Sequence, residues 1–285
     1  MLIIKNIVDL RAYLAKKRNN GSKVGLVPTM GALHEGHMTL VRAAKATCNC
    51  VVVSIFVNPK QFGPREDFDA YPRDLAKDCQ LLKDENVDCV FAPSAAEMWP
   101  AGNETYVDTA SLSKILMGRL RPGHFRGVTT VVAKLFNIVQ PELAFFGEKD
   151  FQQVAIIRRM VADLAFPVRI ISVPILREKD GVAASSRNAL LSIQQRAAAV
   201  ILPQSLEAAR AAFESGERSV SNIIKLIRAV LKREPLAKID AIDIRDSTNL
   251  EVVRGKIDRP VVILLTVTIG TVRLIDQCQF YEENE

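Results

Sequence analysis

The chain carries three histidines, His34, His37 and His124, and each falls in a glycine-containing segment expected to be a loop. The first two lie in Pro28-Thr-Met-Gly-Ala-Leu-His-Glu-Gly-His37, directly after a run of strand character and before a helical pattern. A strand end, a glycine-bearing turn and a helix N-terminus together make a ready phosphate site, because the helix start offers unpaired N–H groups and the positive end of its dipole. Gly31 and Gly36 let backbone approach a nucleotide closely, and two imidazoles three residues apart can donate to phosphate oxygens. A zinc pair is the competing reading. No cysteine or third histidine is placed nearby, and Glu35 would point away from a pair on one face. Lys149, in Gly147-Glu-Lys-Asp150, stands at an expected helix start. A cation is unfavourable beside that dipole end, so an anionic ligand explains it better than an idle surface position. Asp150 can serve as the polar cap of the same helix. Asn58, Gln61 and Gln153 are neutral amides near expected strand ends or helix starts, and Ser185-Ser-Arg-Asn188 taken alone is a plain polar loop. No nucleophile–base pair is evident.

These side chains need a scaffold, and short apolar runs alternate with helical patterns through the first 175 residues. Segments 23–28, 51–57, 89–91, 143–146 and 168–173 are β-branched and almost unbroken in apolar character, as strands of a parallel sheet covered on both faces would be. Helices are expected over 39–47, 72–86, 128–139 and 151–164, with an earlier amphipathic helix carrying Leu10 and Leu14. The alternation predicts a doubly wound α/β domain. Beyond Pro174 the order changes to helices over 192–215, with Pro203 inside it, and 220–232. Strands follow over 239–245, 261–267 and 272–275. A smaller α+β domain is expected there, with the boundary near residue 175.

Composition excludes several classes of function. Of 285 residues, 48% are hydrophobic and 25% charged, ordinary for a globular protein. No apolar run approaches the roughly 20 residues that span a bilayer, and the N-terminus is too soon charged for a signal peptide. Five cysteines, an odd number, suit a reducing compartment. A cytoplasmic protein without a membrane partner is expected. The net charge of +6 invites a nucleic-acid reading, but residues 1–50 alone supply eight basic against two acidic side chains, and residues 51–100 reverse this with five against nine. The basic run Lys16-Lys17-Arg18 reads as a solvated helix face, and basic residues are not interleaved with aromatics. No nucleic-acid partner is expected.

A His-x-Gly-His loop after the first strand resembles the nucleotide-binding signature of the class I aminoacyl-tRNA synthetase and nucleotidyltransferase superfamily. Its neighbours sharpen the resemblance. Val53-Ser-Ile-Phe-Val-Asn-Pro-Lys-Gln-Phe62, Arg121-Pro-Gly-His-Phe-Arg-Gly-Val128, Phe146-Gly-Glu-Lys-Asp-Phe-Gln-Gln153 and Ser185-Ser-Arg-Asn188 follow in that order. From Met1 to about Asp276 the chain is similar to the pantoate–β-alanine ligase family. That resemblance implies a Rossmann-like ATP- and pantoate-binding domain, residues 1–175, with a C-terminal α+β lid, residues 176–285. It also implies a homodimer, ATP with Mg²⁺, and pantoate and β-alanine as the small-molecule substrates. The family first adenylates the pantoate carboxylate, releasing pyrophosphate, and the β-alanine amine then displaces AMP. Because the substrate carboxylate is the nucleophile, the protein must align it and stabilise charge moving onto pyrophosphate.

The same resemblance assigns roles. His34, His37, Lys149 and Arg187 are implied as catalytic, with His37 favoured as the proton donor. Pro28, Thr29, Met30 and Gly31 would line the nucleotide with the two histidines. Gly147, Glu148, Lys149 and Asp150 would meet it from a second strand end, Asp150 facing the ribose or an associated ion. Leu176 and Ala184 would complete the adenine side, while Ser185, Ser186 and Arg187 clamp the triphosphate. Asn58, Gln61, Gln153 and Met30 are implied against pantoate, with Pro28, Met30 and Phe62 able to wall its methyl groups. Gln61 and Arg126 are implied on the β-alanine side, although Arg126 is read equally well as merely ordering its loop. The chain departs from the family at Ala184, where Leu or Met is usual, at Trp99, where Tyr is commoner, and over 265–269. No function attaches to Trp99 at this level. Tyr71, Asp78 and Asp88 fall on the acidic stretch 63–88, which reads as a solvated helix with flanking loops, and Cys48 and Cys50 read as core packing.

Two other functions remain open from the sequence. One is a nucleotidyltransferase that stops at an adenylated or cytidylylated product. The other is a non-catalytic RNA-binding relative, which would need a basic appendage; residues 176–285 carry sixteen basic and fifteen acidic side chains.

Overall fold

The computed structural model describes residues 1–64, 66 and 68–280. The chain divides into two compact units: Met1–Glu148 with Ile156–Pro174, and Lys149–Ala155 with the chain from Ile175 onward. The short segment from Lys149 therefore groups with the C-terminal part, which a contiguous division near 175 does not anticipate.

The first unit is built on six strands, β1 (Leu2–Ile4), β2 (Val24–Thr29), β3 (Cys50–Ile55), β4 (Cys89–Phe91), β5 (Leu143–Gly147) and β6 (Arg169–Val173). All are parallel, in the order β1-β4-β3-β2-β5-β6. Unbroken apolar runs such as Cys50–Ile55 are buried on both faces, as parallel strands beneath crossover helices require. Met38, Val41 and Ala44 of the helix Glu35–Thr47 pack on Val27, Val51, Val53 and Phe145. Five of the strands lie where the periodicity places them. β1 is not anticipated by the sequence: three residues of an exposed edge strand give too little pattern to read, and the pairing with β4 stabilises it. The chain winds one way from β2 to β4 and returns to β5, so the topological switch lies between neighbouring β2 and β5. In such sheets the crevice beyond the carboxyl ends at the switch is where ligands bind.

The basic run of the first helix, Ile7–Asn19, is more than a solvated face. Lys16, Lys17 and Arg18 fill its last turn, favourable for the helix dipole. Arg18 also donates to the carbonyls of Val139 and Gln140, capping the C-terminus of the helix His124–Val139.

The second unit holds an antiparallel sheet, β7 (Ala237–Asp246), β8 (Val261–Ile269) and β9 (Val272–Phe280), in that order. Leu202, Leu206, Ile223 and Ile227 from two helices pack with Val261, Ile263 and Leu265 as its core. The single helix expected over 192–215 is in fact two, Ile193–Ala198 and Ile201–Glu214. The break leaves Pro203 in the first turn of the second helix, where a missing N–H costs nothing. A parallel α/β sheet followed by a smaller α+β unit is the fold class expected from the sequence. Among the described residues, no helix is long and apolar enough to cross a membrane.

Candidate active site

The end of β2 leads into the His-x-Gly-His segment by a turn tied to β3 and to its own backbone through Thr29. Thr29 donates from Oγ1 to the carbonyl of Ser54 on β3 and accepts the N–H of Gly31. Gly31 has φ +81°, and a Cβ there would come within 2.8 Å of Asp78 Oδ2. Ala32 follows at φ +50°, an uncommon conformation for a residue with a side chain. The helix Glu35–Thr47 starts immediately after. Only His34 stays in the loop, as the extended N-cap of this helix; His37 lies in the first turn, and His124 opens the helix His124–Val139.

His34 and His37 cap this helix with their rings, whose centroids are 4.1 Å apart. The Gly36 N–H donates to His34 Nδ1 at 3.1 Å, and the His34 N–H donates to His37 Nδ1 at 3.3 Å. A ring nitrogen that accepts an amide hydrogen carries none of its own, so the neutral tautomer of both rings is Nε2–H. Two Nε2 donors thus share one helix N-terminus at the switch point of the sheet, an arrangement suited to anionic oxygen. Glu35 turns away to pair with Arg42, which also holds Glu85.

Asp78 corrects the reading of the acidic stretch as solvated. It is 2% exposed, and its carboxylate accepts the N–H of Leu33 at 2.8 Å and of Ala32 at 3.0 Å. Burial pushes its carboxyl above the ordinary value, against the pull of those two amides. From 46 residues away it holds the strained turn that presents the histidines. Asp78→Asn is expected to destabilise the protein by about 1–3 kcal/mol, because one buried N–H then faces an NH₂ group. Chemical denaturation measures this, and an unchanged midpoint would refute it. Tyr71 is buried as well, and Asp88 accepts the Val51 N–H at 2.9 Å while pairing with Lys45. Cys48 and Cys50 are buried and free, as core packing requires.

The second group in this unit gathers at the turn Pro59–Gln61 after β3. Gln61 Nε2 points at Met30 Sδ, 2.8 Å away, and Asn58 Nδ2 donates to Gln61 Oε1 at 3.2 Å. His124 Nδ1 lies 2.8 Å from the Gln61 carbonyl, so this nitrogen must be the donor, and Nε2 then accepts from Arg121 at 3.1 Å. Arg121 also reaches the Gln61 carbonyl and binds Glu66. Burial alone would raise the Glu66 carboxyl, but hydrogen bonds from Arg121 and Gly63, with the Arg121 charge, bring it down to about 2. The ion pair therefore contributes through neutral pH and is lost only as pH falls from the ordinary carboxylate value toward about 2. Gly127 is required here: a Cβ would meet the Lys60 carbonyl oxygen at 2.2 Å. Arg126 is exposed, its guanidinium over the Tyr106 ring at 4.9 Å. Pro28, Met30 and Phe62 are half-buried.

Gly147 and Glu148 are half-buried at the end of β5, beside β2 at the switch. Within the second unit, Lys149 Nζ lies 3.4 Å from Asp150 Oδ2 at the turn that opens the helix Phe151–Asp163, with Gln153 half-buried in its first turn. Ser185, Ser186 and Arg187 follow a tight hairpin in which the Ala184 N–H donates to the Leu176 carbonyl at 2.9 Å. Ser185 caps the following turn by accepting the Arg187 N–H. Arg177 anchors the hairpin with a two-pronged pair to buried Asp276 on β9, at 2.8 and 2.9 Å. The segment is thus a hydrogen-bonded turn, Ser186–Leu190, and not a plain polar loop. The supporting residues Asp78, Arg121 and Arg177 were not singled out by sequence for these contacts, because only the fold brings them to their partners.

A family model described as Pantoate-beta-alanine ligase matches residues 2–279. A pantothenate synthetase of Bartonella tribocorum is 63% identical over 277 residues, which is 97% of each chain. The crystal structure of pantothenate synthetase from Thermus thermophilus superposes with a TM-score of 0.94 at 42% identity, covering 99% of this chain and 100% of that one. A pantoate-β-alanine ligase from Francisella tularensis, solved as a complex with β-γ ATP and β-alanine, gives 0.79 at 34% identity over 98% and 97% of the two chains. With its sequence motifs in place over nearly its whole length, the chain belongs to the pantoate–β-alanine ligase family.

Proposed function

We propose that the protein is an ATP-dependent, AMP-forming ligase that joins pantoate to β-alanine through a pantoyl adenylate. The observation that carries the reading is the pair of histidines at the switch point, both held by backbone amides in the Nε2–H form. Family membership, and the ATP and β-alanine in the Francisella complex, support the substrates.

In the first step a pantoate carboxylate oxygen attacks the α-phosphorus, and the bond to the pyrophosphate oxygen breaks. His34 and His37 donate from Nε2 to the phosphate oxygens as negative charge builds on the leaving group. Lys149, Ser185, Ser186 and Arg187 take the remaining phosphate oxygens, the guanidinium offering a planar fork. Pro28, Thr29, Met30, Gly31, Gly147, Glu148, Leu176 and Ala184 form the nucleotide's surroundings, with Asp150 at the ribose. In the second step the amine of β-alanine attacks the acyl carbon, AMP leaves, and the amine loses a proton. Gln61 and Gln153 hold pantoate by neutral amides, which leave its carboxylate reactive where a salt bridge would quench it, and Arg126 belongs to the β-alanine side. Mg²⁺ enters as the ion carried by the phosphates of ATP. Among the described residues, no cluster of three or more His, Cys, Asp or Glu side chains could hold it independently. A lid role for the C-terminal unit, a homodimer and a cytoplasmic location belong to the same proposal, and light scattering of the purified protein tests the dimer.

Release of AMP with each substrate omitted in turn tests the function. AMP is expected only when pantoate, β-alanine and ATP are all present. Pyrophosphate release with no AMP, even when the amine is present, would favour a transferase that stops at the adenylate, and indifference to pantoate would refute the reading.

A further inference from the structure

We propose that Trp99 is a positioning residue for substrate recognition: acting through Asn58, it fixes the side-chain amide of Gln61 with its NH₂ group outward, as the donor to an oxygen of pantoate. The inference rests on the pantoate reading above.

An amide has two ends of similar shape and opposite hydrogen-bonding sense, so its orientation must be settled by neighbours that cannot reverse. Asn58, 1% exposed, has three such neighbours. The indole Nε1–H of Trp99 donates to Oδ1 at 3.1 Å, and the Lys60 backbone N–H donates to the same oxygen at 3.2 Å. On the other side Nδ2 donates to the carbonyl of Gly127 at 3.1 Å. Turning the Asn58 amide over would set its NH₂ against two donors and its oxygen against a carbonyl. Its polarity is therefore fixed, and Nδ2 is the atom that meets Gln61 at 3.2 Å. Gln61 must answer with Oε1, which leaves Nε2 on the far side of the amide. Among the described residues the one hydrogen-bond partner of Nε2 is the thioether of Met30, a weak acceptor that a carboxylate or hydroxyl oxygen outcompetes.

The relay is held firmly at both ends. The Trp99 ring is flanked by two cations, Lys60 Nζ at 4.5 Å and Lys134 Nζ at 4.8 Å from its centroid. Lys134 is tied in turn to the Met98 carbonyl. At the other end, His124 and Arg121 fix the Gln61 backbone carbonyl. All four hydrogen-bonding directions of Asn58 are thus occupied by protein, so its contribution to pantoate binding runs through Gln61. Trp99, 41 residues from Asn58 in sequence, is the donor that starts the chain.

Trp99→Phe keeps an aromatic face for the two lysines while removing the indole N–H together with the rest of the pyrrole ring. The KM for pantoate, measured by pantoate-dependent pyrophosphate exchange, is expected to rise roughly five- to tenfold, the loss of one buried neutral hydrogen bond. The KM for ATP should stay at its wild-type value, and the melting temperature should fall by no more than the few degrees that one lost buried hydrogen bond costs. A rise confined to pantoate and larger than about twofold supports the relay; a smaller one, or a parallel rise for ATP, overturns it. Asn58→Asp has no hydrogen to give Oε1, so Gln61 must turn over and present oxygen to an anion. Exchange should then fall more than about tenfold with ATP binding intact, and a smaller loss again overturns the relay. Should that buried carboxylate prevent folding, Trp99→Phe decides alone. Wild-type protein that fails to exchange at all would instead remove the pantoate reading itself.

Discussion

Replacing His37 by alanine is expected to lower pantoate-dependent pyrophosphate exchange by about 10²–10³-fold, the range for removing one donor aimed at developing negative charge. The same change also removes a helix cap, because His37 Nδ1 accepts the His34 N–H, at a cost of about 1 kcal/mol. The two losses can be separated. Glutamate in the first helical turn accepts the same backbone N–H, so His37→Glu should recover the stability lost in His37→Ala while remaining as inactive, having no hydrogen to offer a phosphate. If exchange recovered with the cap, the ring would be structural. Stability is read by thermal melting and activity by exchange at saturating ATP.

Lys149→Ala should show the opposite coupling: a similar loss of rate, about 10²–10³-fold, with stability unchanged or slightly raised. Among the described residues its one ion pair is with its sequence neighbour Asp150. Its position before the helix Phe151–Asp163 places a half-buried cation near a positive dipole end, which costs on the order of 0.3–1 kcal/mol. The proposed anion is what would offset that cost. Near-normal turnover in this variant, or a large loss of stability, would contradict the role. The ligand should screen the repulsion, so ATP is expected to raise the melting temperature of the wild type more than that of the variant.

Much of this site could be read in the sequence because it is local. His34 and His37 are three residues apart, and their helix start follows a strand of unmistakable apolar character, so their place at a helix N-terminus could be read from pattern and spacing. Lys149 was legible for the same reason, as a charge in the wrong place on a helix. What escaped depends on contacts between distant segments. Asp78 lies among many acidic residues, and nothing in its neighbourhood distinguishes a buried carboxylate from a solvated one until the turn at Ala32 and Leu33 is seen against it. His124 looked like a third loop histidine, yet it opens a helix and spends its ring on a backbone carbonyl. Trp99 carried no message, since the donor-only character of indole matters only once Asn58 lies beneath it.

The fold divides along the same line. β2 to β6 have continuous β-branched runs, whereas β1 is three residues long and exists by virtue of its pairing with β4. The helix expected over 192–215 breaks because a proline is tolerated only in a first turn, and a new first turn forms to receive it. The positive charge of the chain has also found uses that composition cannot suggest. Arg18 caps a helix, Arg121 and Arg177 pin turns to carboxylates, and Lys60 and Lys134 flank an indole.

In the proposed mechanism the histidine-capped helix start at the sheet's switch point serves adenylation of a carboxylate. Exchange of labelled pyrophosphate into ATP with pantoate present and β-alanine absent tests it most directly. The expected result is exchange that requires pantoate and Mg²⁺, proceeds without the amine, and falls at least about a hundredfold in His37→Ala. Folded wild-type protein that binds ATP yet supports no pantoate-dependent exchange would contradict the account.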